Sequence, residues 1–100
     1  MRHIMKNIDS LKNIINQHKA EIEEKYSVKS IAIFGSYTRN EQSEDSDIDI
    51  LVEFKKPVGF QFIHLADYLE KILGIKVDLL TPEAIKPNRR KSVMEEIIYV

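Results

Sequence analysis

The sequence predicts an α+β (mixed α/β) domain, a small mixed β-sheet with helices packed on it, and three observations carry that expectation. Three short runs rich in β-branched residues lie among stretches in which apolar residues recur every three or four positions. The link between the first two runs, residues 35–46, is too short for a crossover helix, so those strands are expected to be antiparallel neighbours. At 100 residues, 43% hydrophobic and 31% charged, the chain is expected to form a single domain over 1–100 with one core.

Residues 8–25 read as a helix. Asp9 or Ser10 is expected to cap it, and Ile4, Ile8, Leu11, Ile15, His18 and Ile22 form its apolar stripe. His18 on that stripe is expected to be a core-edge residue without chemistry. Val28 to Phe34 is a strand stopped by Gly35, followed by a polar turn with room for one helical turn. Asp47 to Phe54 is the second strand, ended by Lys55-Lys56-Pro57. After Gly59 a helix over about 60–73 turns Phe62, Leu65, Ala66, Leu69, Ile72 and Leu73 inward, and Gly74 closes it. Ile75 to Thr81 is the third strand. Pro82 suits the start of a helical turn, and Pro87 precedes a last short helix near 88–98. Val93, Met94, Ile97, Ile98 and Tyr99 are expected to close the core from that helix. The basic stretch from Lys86 to Lys91 is expected to be a solvated helix start, with contact to a partner or RNA as the alternative.

Composition excludes several classes. Fifteen basic against sixteen acidic residues give a net charge of −1, so no direct nucleic-acid binding is expected. Without cysteine there is no disulfide framework, thiolate nucleophile or Cys-based zinc site. No apolar run is long enough for a secretion signal or membrane span, so no membrane association and a cytoplasmic location are expected.

The chemistry-bearing segment runs from Phe34 to Val52. Asp47 and Asp49 are two apart on a predicted strand, so their carboxylates are expected on one side while Ile48, Ile50 and Val52 hold the other. Two like charges about 6.6 Å apart repel by roughly 2.5 kcal/mol at an effective dielectric near 20. A divalent cation reverses that sign. Asp78 is a third carboxylate in a strand that is otherwise apolar, and it converges on the pair if the third strand lies beside the second. Three carboxylates on rigid strands suit two Mg²⁺ ions that keep waters and bind substrate phosphates. Gly35-Ser36 at the end of a strand suits phosphate oxygens, through close backbone approach and a hydroxyl. Read singly, each feature is ordinarily a turn, a solvated acidic surface or an edge residue. Their combination on these elements points to a nucleoside triphosphate site.

Rival motifs fail on inspection. Asp45, Asp47 and Asp49 match the start of an EF-hand loop, but its sixth position is Ile50 and its twelfth Lys56. Walker-type and G-x-G-x-x-G glycine patterns are absent, and Ser36 lacks a His–acid partner in the sequence.

Gly35-Ser36, Arg39 and Ser46-Asp47-Ile48-Asp49 followed by Ile50-Leu51-Val52 resemble the G-S-x-x-R-(G)…S-D-x-D-[LI]-x-V signature of the DNA polymerase β nucleotidyltransferase superfamily. The chain is most similar to its minimal nucleotidyltransferase (MNT) group, and the resemblance extends over most of the sequence. One departure is Asn40, where the family usually has glycine; Asn is the side chain that best tolerates positive φ. The resemblance implies a polymerase β-like core. It further implies ATP as substrate, with Gly35, Ser36, Arg39 and Ser46 binding nucleotide, and Asp47, Asp49 and Asp78 as metal-binding and catalytic residues for two Mg²⁺ ions. It also implies an antitoxin that forms a hetero-oligomer with a HEPN-domain ribonuclease toxin and transfers AMP to a tyrosine hydroxyl of it. Two alternatives stand beside this reading. One is a non-catalytic antitoxin that inhibits by stoichiometric binding. The other is a small-molecule nucleotidyltransferase, disfavoured because no part of the sequence can form an acceptor domain. Tyr37 is expected beside the pocket, and Lys55-Lys56 with Phe60–Phe62 on the acceptor side.

Overall fold

A computed structural model of the chain describes residues 7–43 and 45–100. Ile4 of the first apolar stripe and Glu44 of the acidic run lie outside the described residues. The element order is α1 (Ile8–Gln17), α2 (Lys19–Lys25), β1 (Val28–Phe34), β2 (Ile48–Phe54), α3 (Gln61–Leu73), β3 (Val77–Leu80), α4 (Pro87–Glu96) and β4 (Ile98–Tyr99). Short 3₁₀ turns at Gly35–Tyr37 and Pro82–Ala84 follow β1 and β3.

The sheet order is β3-β2-β1-β4. β1 is antiparallel to both β2 and β4, and β2 is parallel to β3, with α3 as the crossover that a parallel pair requires. The expected mixed sheet and antiparallel β1/β2 pair are therefore as observed, and β3 does lie beside β2, the condition for Asp78 to approach Asp49. Strand alternation divides the structure into two layers around the sheet. Ile31, Ile33, Ile48, Ile50, Val52 and Leu79 join Leu11, Ile15, Ile22, Leu65, Leu69 and Leu73 of the first three helices in the main core. Ala32, Phe34 and Leu51 pack instead with Ile85 and Val93, on the side of α4. By parity along β2 and β3, Asp49 and Asp78 share the α4 side with Leu51 and Leu80.

Four expectations need correction. The first helix is two. The His18 imidazole bonds the Ile14 carbonyl at 2.8 Å through Nδ1, taking the acceptor that its own N–H would use, and that N–H turns to Ile15 O at 3.0 Å. His18 is otherwise the expected core-edge residue, edge-on to Tyr68 at 6.1 Å. The cap is Asn7 rather than Asp9 or Ser10. Its Oδ1 accepts the Ser10 N–H at 2.9 Å while Ser10 Oγ bonds back to the Asn7 N–H, a capping box. The third strand begins at Val77, later than expected, because Gly74 ends α3 in the left-handed region at φ 72 and Glu70 holds the Val77 N–H. The chain end is not helical past Glu96. Ile98 and Tyr99 pair with Ile33 and Ala32, so of the predicted closing residues only Val93 is fully buried, and Met94 and Tyr99 are exposed.

Candidate active site

The functional segment begins where β1 ends. Gly35 has φ +83, and a Cβ placed on it would lie within 3.0 Å of the Asp49 carboxyl carbon. A glycine is therefore required both by backbone conformation and by contact with β2. The turn closes through Thr38 and Arg39 N–H bonds to Gly35 and Ser36 carbonyls, and Glu41 N–H returns to Ser36 O at 2.9 Å. Asn40 sits at φ +56, so the residue in the family's glycine position holds the left-handed conformation expected of it. The Ser36 hydroxyl has no hydrogen-bond partner among the described residues.

Asp49 and Asp78 stand opposite each other in the parallel β2/β3 register. Partial burial, then the charge of Asp78 and a hydrogen bond with it, push the Asp49 carboxyl up to about 6. Asp47 adds a smaller electrostatic push and Arg39 a small opposing one. Asp47 itself is exposed and lies one residue before β2 rather than within the strand.

These residues face a cleft of about 430 Å³. Gly35, Ser36, Arg39, Asp49 and Asp78 line it, and Ser46 and Asp47 do not. Ser46 Oγ instead accepts the Ser43 N–H at 2.8 Å, holding the acidic turn. Tyr37, expected beside the pocket, is 3% exposed and belongs to the main core, where burial and the nearby charge of Asp47 raise its phenol. The correction follows from its place on the inner side of the 3₁₀ turn. Lys55, Lys56 and Phe62 line a separate groove with Pro82 and Glu83.

The other wall comes from α4 and its N-cap, which supply Arg89, Glu96 and Lys86. Lys86 and Arg89 belong to the basic stretch expected to be a solvated helix start or a contact to a partner or RNA, and Glu96 carries no signal in the sequence. Glu96 Oε1 accepts the Gly35 N–H at 2.9 Å, and its Oε2 pairs with Arg39 Nη1 at 2.8 Å. Arg39 Nε bonds Glu41 at 2.8 Å, and these two partners, Glu41 foremost, raise its already high affinity for a proton. The local signal for the cations is only their place in a basic stretch around Pro87, where a helix is expected to start.

The donor set is all oxygen, which excludes soft-metal chemistry and fits hard cations. Among the described residues no three His, Cys, Asp or Glu side chains form a ready cage. Two adjoining carboxylates with a third at electrostatic range instead suit an ion that fills its shell with water and phosphate oxygens.

The sequence matches the nucleotidyltransferase domain family over residues 15–100. It is 58% identical over 98 residues to a Methanocaldococcus jannaschii protein named "Putative protein adenylyltransferase MJ0128", covering 96% of this chain and all of that one. Identity to the protein adenylyltransferase MntA of Thermococcus cleftensis is 42% over 97 residues, 96% of this chain and 98% of that one. A solved structure described as a "putative minimal nucleotidyltransferase" superposes with a TM-score of 0.82 at 26% identity, covering 98% of this chain and all of that one. A toxin–antitoxin crystal structure with AMP-PNP superposes at 0.68 with 26% identity, over 89% of this chain and 70% of its own.

Proposed function

The chain belongs to the nucleotidyltransferase domain family, and from that premise we propose that it is a protein adenylyltransferase antitoxin, transferring AMP from ATP to a tyrosine hydroxyl of a partner HEPN ribonuclease toxin. The protein adenylyltransferases at 58% and 42% identity support the transfer chemistry. The toxin–antitoxin structure with an ATP analogue supports the nucleotide and the kind of partner. The observation that carries the reading is the single cleft in which the Asp49–Asp78 pair faces Gly35-Ser36.

In this reading Ser36 holds phosphate oxygens through its unpaired hydroxyl, and Gly35, without a side chain, lets the backbone approach them closely. Asp49 and Asp78, with Asp47, hold Mg²⁺, which when bound neutralises charge on the phosphates. The tyrosine oxygen forms a bond to the α-phosphorus, the α–β phosphoanhydride bond breaks, and pyrophosphate leaves. Asp78, exposed at the cleft, takes the phenol proton. Most of the acceleration comes from holding nucleotide and acceptor in line.

The test is the intact mass of the HEPN partner after incubation with this protein, ATP and Mg²⁺, with Asp47→Asn/Asp49→Asn as control. A gain of whole AMP units with the native protein alone supports the reading. No gain with a stable complex would overturn it in favour of stoichiometric binding, for which the exposed Phe60 and Ile63 at the start of α3 are the favouring observation.

A further inference from the structure

We propose that Lys86 and Arg89 at the start of α4, rather than Arg39, hold the β- and γ-phosphates of the nucleotide and make the cleft selective for a triphosphate. The proposal rests on the nucleotidyltransferase reading and assigns part of its substrate site.

Arg39 is the basic residue that the sequence signature offers for this task. In the fold its guanidinium bridges two carboxylates: Nε pairs with Glu41 and Nη1 with Glu96, both at 2.8 Å. One cation between two carboxylates leaves that corner of the cleft negative. A phosphate brought to Arg39 would meet Glu96, whose other oxygen already takes the Gly35 N–H. Arg39 and Glu96 together act as a strut that fixes the Gly35–Arg39 turn to α4.

The cleft still needs positive charge, because two carboxyl side chains, Asp49 and Asp78, line it and ATP brings several negative charges of its own. Lys86 and Arg89 line the same cleft, and neither side chain has a hydrogen-bond or ion-pair partner among the described residues. Pro87 starts α4, so Lys86 is its N-cap and Arg89 lies in its first turn, and both line the cleft. An Arg fork grips two phosphate oxygens at once and Lys supplies a mobile point charge, a combination suited to the terminal phosphates. With the α-phosphate at the carboxylates, a triphosphate lying toward α4 brings its tail to these cations. A monophosphate does not reach them.

The test is calorimetric titration of ATP, ADP and AMP, each with Mg²⁺, into the native protein, Lys86→Gln/Arg89→Gln, Lys86→Arg/Arg89→Lys and Arg39→Gln. Both cations are exposed, so these substitutions leave the core untouched. The double Gln variant is expected to bind ATP at least about tenfold more weakly and AMP within about twofold of the native protein, and the charge-preserving variant to recover most of the loss. Arg39→Gln is expected to weaken all three nucleotides alike, by loosening the turn. Native-like ATP affinity in the double Gln variant, or equal loss for ATP and AMP, would overturn the proposal while leaving the enzyme reading intact. Failure of the native protein to bind ATP would overturn both.

Discussion

Gly35 and Asp49 are packed in such close contact that residue 35 has no room for a side chain. A Cβ there would lie 3.0 Å from the Asp49 carboxyl carbon, 3.3 Å from its Cβ and closer still to Oδ2, at a backbone φ of +83. The Asp49 carboxylate is thereby pressed against the turn that presents Ser36 to the cleft.

Gly35→Ala is expected to lower stability by about 1–3 kcal/mol and to abolish detectable ATP binding, since strand β2 or the turn must move to admit the methyl group. Thermal unfolding and nucleotide titration of the one variant measure both.

Asp49→Asn is expected to stabilise the protein at neutral pH while ending transfer. The Asp49 carboxyl, pushed up to about 6, binds its proton more tightly folded than unfolded, where its value is about 3.9. Its favourable contribution is complete below the unfolded value and is lost as pH rises through about 6. The difference in melting temperature between variant and native protein, in a chelating buffer, should be small near pH 4 and reach its maximum above pH 7. After allowance for the screening of a half-exposed group it corresponds to about 1 kcal/mol. A difference that does not change with pH would contradict the origin assigned to it.

Asn40→Gly is expected to retain or raise activity, with stability changed by less than about 1 kcal/mol. Asn40 holds φ +56 and its side chain has no partner among the described residues. Asn40→Ala should be the less stable of the two variants by denaturant unfolding, because Ala resists that conformation more than Asn does. Lower activity in the glycine variant would give the Asn40 side chain a direct part in the site.

Glu96→Ala removes the acceptor of the Gly35 N–H and one partner of Arg39. It is expected to cost about 1–2 kcal/mol and to speed hydrogen exchange at the Gly35 amide. Glu96→Gln keeps a carbonyl oxygen for that amide and should show a smaller change. Equal exchange in all three proteins would mean that Glu96 does not brace the turn.

By itself the sequence determined the strands and their faces. Runs of β-branched residues placed β1 at its observed bounds, and β2 starts only one residue later than expected, because a half-buried strand needs alternation that a local pattern records. The same alternation put Asp49 opposite Ile48 and Ile50, and the short 35–46 link made β1 and β2 antiparallel. Gly35-Ser36, Asn40 and the inner stripe of α3 were legible for the same local reason. The tertiary structure decided what depends on residues far apart in the chain. Which side of the sheet α4 covers, and so which cations face the carboxylates, follows from Ile85 and Val93 packing on Phe34 and Leu51. That the Arg39 guanidinium pairs with Glu96, 57 residues away, is visible only in the fold. Pairing of Ile98 and Tyr99 with β1 likewise needs a strand edge that no short window contains. Local spacing fixes the direction of a side chain within its own element, whereas its partner is fixed by packing between elements. Such packing is settled only when the whole core is buried.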